Sequence, residues 1–194
     1  MNKRQFLAGA ALAAGALPAL AAKPAASAAR GPVLLTLTGA VGKTNRGPFD
    51  PQFDQMMGKH KVKFDRAFTF DFAALAKLPQ QTITSTLEYD GKPHQLRGPL
   101  LTDVLAAAGA SADNPRILLQ AVDGYAVMSP LADLRRFGFI IAHEIDGKPL
   151  ALGGIGPLWA VYDPGRFPEL AAKTLPERFA LCPWGIYHIS VQAG

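Results

Sequence analysis

From residue 33 onward, apolar positions come in short runs that switch between the two periods of regular structure. Val33-Leu34-Leu35-Thr36-Leu37-Thr38 is rich in strand-forming residues and stops at Gly39. The loop after it carries turn chemistry in Asn45-Arg46-Gly47-Pro48 and Asp50-Pro51. Residues 66–70 predict a short strand, and Asp71 is placed to cap a helix over 72–78 that Pro79 ends. Residues 82–89 return to strand. After the turn at Asp90-Gly91, Pro99 is expected in the first turn of a helix through Leu105, with Gly109 as its stop. Asp-Gly pairs favour tight hairpins. Asp123-Gly124 would join strands at 116–122 and 125–128, and Asp146-Gly147 would join strands at 139–145 and 149–152. Residues 130–137 have helical spacing, and 158–162 and 187–191 supply closing strands. The expected class is α+β, with mixed sheets and short helices. Helices do not alternate regularly with single parallel strands, which disfavours a doubly wound nucleotide fold.

The start of the chain reads differently. Met1-Asn2-Lys3-Arg4-Gln5 carries two positive charges and no acid, and residues 6–20 are apolar apart from Gly and Pro18. That is the build of a signal peptide over residues 1–22, because a permanent span needs about 20 apolar residues and Ala19, Ala21 and Ala22 offer a cleavage site. Lys3-Arg4-Gln5-Phe6-Leu7 resembles a twin-arginine export signal with Lys in place of the first Arg, while an ordinary secretory signal has the same charge pattern. Residues 23–32 are Ala, Pro, Ser and Gly with two charges, a flexible leader. The expected domain is therefore 33–194. It would be exported, to the periplasm or otherwise outside the cytoplasm, with no transmembrane segment in the mature chain.

Composition narrows the chemistry. A hydrophobic share of 49% excludes a disordered chain. Lys3 and Arg4 supply two of the formal +5, and the other basic residues are scattered, so nucleic acid is not an expected partner. The short run Lys59-His60-Lys61-Val62-Lys63 is a solvated face that could attract a small anion. Cys182 is the one cysteine, so no internal disulfide forms. Gly42-Lys43-Thr44 lacks the first glycine of a phosphate loop, where Leu37 stands. Gly154-Ile155-Gly156 lacks the third glycine of the dinucleotide fingerprint, where Trp159 stands. His60, His94, His143 and His188 are too far apart in sequence for a local zinc motif.

One order of motifs carries more. Asn45 and Phe70-Asp71 are followed by Thr84-Ser85-Thr86, then Gly98-Pro99-Leu100-Leu101-Thr102-Asp103-Val104-Leu105 with Gly109-Ala110. Asp123-Gly124-Tyr125, Ile141-Ala142 with Asp146-Gly147, and Gly156-Pro157-Leu158 complete it. This order resembles the oxidoreductase molybdopterin-binding domain, the cofactor fold of the sulfite-oxidase family, from about Val33 to Val191. The resemblance implies an α+β domain holding a pyranopterin with molybdenum between strand ends and loops, in enzymes that oxidise sulfite or reduce S- and N-oxides. In that family a strand-end cysteine about a dozen residues before the helix-opening glycine binds the metal, as suits a soft ligand. Counting back from Gly98 places Thr86 in that slot, beside Ser85 and Thr84, none of which carries sulfur. The dimerisation domain of sulfite oxidases is also missing from this sequence, so a stand-alone module is expected.

The reading that follows is a ligand- or partner-binding module without molybdenum turnover, its partner a small anionic ligand or an exported protein. Candidate cleft residues are Asn45, Thr84, Ser85, Thr86, Arg97, Tyr125, His143 and Arg166, polar side chains expected at strand ends and loops. No metal ligand is assigned. The alternative is an oxidoreductase that holds molybdopterin through pterin and diphosphate contacts alone, with Arg and Lys facing the diphosphate.

Overall fold

The computed structural model describes residues 31–194. The expected signal peptide and most of the leader lie outside the described residues. Strand β1 (Val33–Gly39) runs parallel to the last strand, β11 (Ile186–Gln192), with Leu37 opposite Ile189. Around this pair an otherwise antiparallel five-stranded sheet forms in the order β2-β1-β11-β5-β6, using β2 (Phe68–Asp71), β5 (Arg116–Ala121) and β6 (Ala126–Pro130). The strand expected to close the fold is thus the centre of its largest sheet. Gly39 ends β1 at φ +81°, where a Cβ would lie 2.1 Å from the Val191 carbonyl oxygen, so glycine lets the chain turn against the neighbouring strand.

A second sheet, β3-β4-β8-β9, joins β3 (Gln80–Thr86), β4 (Pro93–Pro99), β8 (Glu144–Ile145) and β9 (Lys148–Pro149). A two-stranded ladder pairs β7 (Ile140–Ala142) with β10 (Trp159–Val161). Two expectations are corrected by these sheets. Pro99 does not open a helix, because it ends β4 opposite Gln80 and the helix begins one residue after Leu100. Residues 139–145 are not one hairpin arm: β7 turns to β10, and only Glu144 and Ile145 pair across the Asp-Gly turn with β9. β4 alternates, with Gln95 and Arg97 exposed and Leu96 and Gly98 buried, as a half-buried strand does.

The helices are short, α1 (Gln55–Lys59), α2 (Phe72–Ala76), α3 (Leu101–Ala107), α4 (Leu131–Phe137) and α5 (Leu175–Arg178), with 3₁₀ turns at Pro164–Arg166 and Pro168–Leu170. Asp71 caps α2 as expected, its Oδ1 accepting from the Ala74 N–H at 2.7 Å. Gly109, at φ +69°, follows the end of α3. One core joins all three sheets to α2, α3 and α4, through Leu37, Ile189, Leu96, Ile141, Trp159, Leu75, Val104 and Leu134. The α+β class with mixed sheets and short helices therefore stands. Among the described residues no helix is long and apolar enough to cross a membrane.

Candidate functional site

Alternation along β3 decides which of its polar residues can meet a ligand. Thr82, Thr84 and Thr86 point to the exposed face, whereas Ser85 is buried and its hydroxyl has no partner among the described residues. Thr84 and Thr86 line a cleft of about 310 Å³, closed on the other side by the Asp163–Arg166 segment and by Leu175 and Arg178 of α5. Three candidate residues from distant parts of the chain, Thr84, Thr86 and Arg166, thus share one cleft.

The wall opposite β3 is shaped by local hydrogen bonds. Asp163 accepts from the Gly165 N–H at 3.0 Å, which sets the turn that presents Arg166. Arg178 is committed to structure: its Nε donates to the Lys173 carbonyl at 3.0 Å and a terminal nitrogen to Ala171 at 2.9 Å. Thr174 and Glu177 form a capping box at the start of α5. Arg166 is exposed and makes no side-chain hydrogen bond or ion pair among the described residues. Two hydroxyls and a free guanidinium, beside one carboxylate that already holds a turn, make a cleft suited to an anion.

The remaining candidates lie elsewhere. Asn45 joins its loop to β2, accepting from the Thr69 N–H at 2.7 Å and donating to the Thr69 carbonyl at 2.9 Å. Arg97, on β4, pairs with both oxygens of Glu144 at 3.0 and 3.1 Å. His143 is buried against the Phe72 ring and bonds Gln80 Oε1 through Nε2 at 2.8 Å. The Gln80 amide nitrogen donates to the carbonyls of Leu75 and Leu78, so its oxygen must accept and His143 Nε2 must carry the proton. Nδ1 then has no hydrogen-bond partner among the described residues, with Glu144 Oε1 at 3.6 Å, and burial lowers the His143 pKa against the raising effect of that carboxylate. Tyr125 lies in a different cleft, beyond α5, where its hydroxyl donates to the Ala180 carbonyl at 2.6 Å.

Cys182 lines that second cleft beside Glu88, although 94 positions separate them in the chain. It is nonetheless 5% exposed, and burial pushes its thiol far above the usual thiol range. At the end of β3, Thr84, Ser85 and Thr86 offer hydroxyls, hard neutral donors, and no sulfur. This donor set does not fit a sulfur-bound metal. Among the described residues no group of three or more His, Cys, Asp or Glu is placed to hold a metal ion.

No family model matches this chain, and no curated protein matches it. Among solved structures it is similar to the sulfane dehydrogenase SoxCD from Paracoccus pantotrophus, with a TM-score of 0.55 at 13% identity. The likeness covers 82% of this chain and 38% of that one, so the chain spans less than half the length of that neighbour. At this identity the likeness is one of fold.

Proposed function

Starting from a fold shared with the sulfane dehydrogenase, we propose that this chain is an exported, molybdopterin-oxidoreductase-like domain that binds a small anion in the Thr84–Thr86–Arg166 cleft, without molybdenum turnover. The observation that supports the reading is that Arg166, which makes no side-chain hydrogen bond or ion pair among the described residues, lines one cleft with Thr84 and Thr86 at a strand end that lacks a thiolate. Guanidinium geometry suits a planar carboxylate or two oxygens of an oxyanion, and hydroxyls can donate to a third. Residues 1–22 act as the export signal in this reading, and 33–194 form the working domain.

Calorimetric titration of the purified protein with sulfite, sulfate, phosphate and acetate tests it. One of these should bind saturably, and Arg166→Gln should weaken it by roughly tenfold or more, the loss of one charge-assisted contact. Equal binding by Arg166→Gln overturns the reading. The fold likeness to SoxCD favours one competitor, an oxidoreductase that holds molybdopterin without a sulfur ligand. Elemental analysis separates the two: stoichiometric molybdenum in protein from a host that makes the cofactor favours the enzyme.

A further inference from the structure

The cleft on the far side of α5 has the opposite chemistry. It measures about 270 Å³ and is walled by Glu88 from the turn after β3, Asp123 and Tyr125 from the β5–β6 hairpin, Phe179, and Pro183 and Trp184 ahead of β11. No lysine or arginine lines it. Two carboxylates without a lining base make this a local negative well, and the apolar part of its wall strengthens the field.

The aromatic groups are held as walls. Tyr125 is 48% exposed yet tethered through its hydroxyl to Ala180, and Trp184 is 37% exposed, its backbone bridging to Trp159. Asp123 Oδ1 accepts from the Tyr125 N–H at 2.9 Å, while Oδ2 makes no hydrogen bond among the described residues. Glu88 is partly buried, and its charge reaches the neighbouring Tyr89 phenol, which burial first and Glu88 second push up to about 12. The carboxylates supply negative charge, the rings of Tyr125, Phe179 and Trp184 line the cleft, and the apolar wall favours a poorly hydrated guest. A bare metal ion would want more oxygen donors than this cleft offers.

We propose that the Glu88–Asp123–Tyr125–Trp184 cleft is a binding site for a small organic cation, an alkylated ammonium. It is distinct from the Arg166 cleft, and α5 divides the two: Leu175 and Arg178 line one, Pro176 and Phe179 the other. The proposal does not depend on the anion reading, since none of its residues enters that test.

Trp184 offers the readout, because the only other tryptophan, Trp159, is 1% exposed. Choline and tetramethylammonium should change tryptophan emission saturably and bind in calorimetry, whereas the neutral choline isostere 3,3-dimethyl-1-butanol should not. Glu88→Gln combined with Asp123→Asn, which keeps the Oδ1 acceptor, should weaken choline by roughly tenfold or more with circular dichroism unchanged. If that double variant unfolds, Trp184→Leu read by calorimetry takes its place, with a loss of roughly threefold or more. Absence of saturable binding, equal binding of the neutral isostere, or unchanged affinity in a folded variant overturns the proposal.

Discussion

His188 sits in the central strand with both ring nitrogens engaged. Gln120 Oε1 lies 3.1 Å from Nδ1 and the Thr38 hydroxyl 2.8 Å from Nε2, an arrangement that satisfies a neutral imidazole. Burial first, and the nearby His60 second, lower its pKa from the usual 6.5 to about 4. The unfolded chain therefore binds a proton at about pH 6.5 that the folded protein resists until about pH 4. Stability should fall as pH drops through that window, by about 3 kcal/mol from this group. Urea denaturation at pH 7 and pH 4.5 measures it, and His188→Gln should show a shallower fall. Ser85 makes the opposite kind of prediction. Its buried hydroxyl has no partner among the described residues, so Ser85→Ala removes an uncompensated polar group and should raise stability by about 1 kcal/mol in the same assay.

Among the elements, the crossing of β4 over β7 leaves least room. A Cβ on Gly98 would stand 2.0 Å from the Ile141 carbonyl oxygen and 2.8 Å from the Ala142 Cα. These are backbone atoms, so no rotamer change relieves the contact and the strands must part. Gly98→Ala should cost about 3 kcal/mol or more, visible as a lowered thermal midpoint. The same crossing explains why β4 escaped the sequence reading. Gly98 and Pro99 are residues that ordinarily punctuate structure, and here they end a strand at a close backbone approach. By contrast, the Asp71 cap, the β5–β6 hairpin and α4 were legible, because each depends on neighbours within a few residues.

At the scale of the molecule, the larger of two hydrophobic clusters couples three sheets whose strands come from both ends of the described residues, since β1 pairs with β11. Unfolding followed by tryptophan emission, which reports the surroundings of Trp159 and Trp184, should therefore coincide with far-ultraviolet circular dichroism, which reports all the sheets. Separate transitions would show that the sheets do not unfold in one step. The two clefts of opposite character flanking α5 also belong to this scale. One joins Thr84 and Thr86 of β3 to residues 163–178, the other joins Glu88 and the β5–β6 hairpin to residues 176–184, and no local pattern pairs those segments.

The chain's own pattern determined the class of the fold, most of its turns and caps, and the polar residues from which a cleft could be built, because apolar periodicity and turn chemistry act over a few residues. Only the folded arrangement decided that β11 is central, that Ser85 and His143 face inward, that Asn45 bonds Thr69 and Arg97 pairs with Glu144, and that Thr84, Thr86 and Arg166 line one cleft. It also carried Cys182 to Glu88 and Tyr125 away from the Arg166 cleft. Partners far apart in the chain are selected by the burial of a shared core, and that selection leaves no mark within a short window of residues.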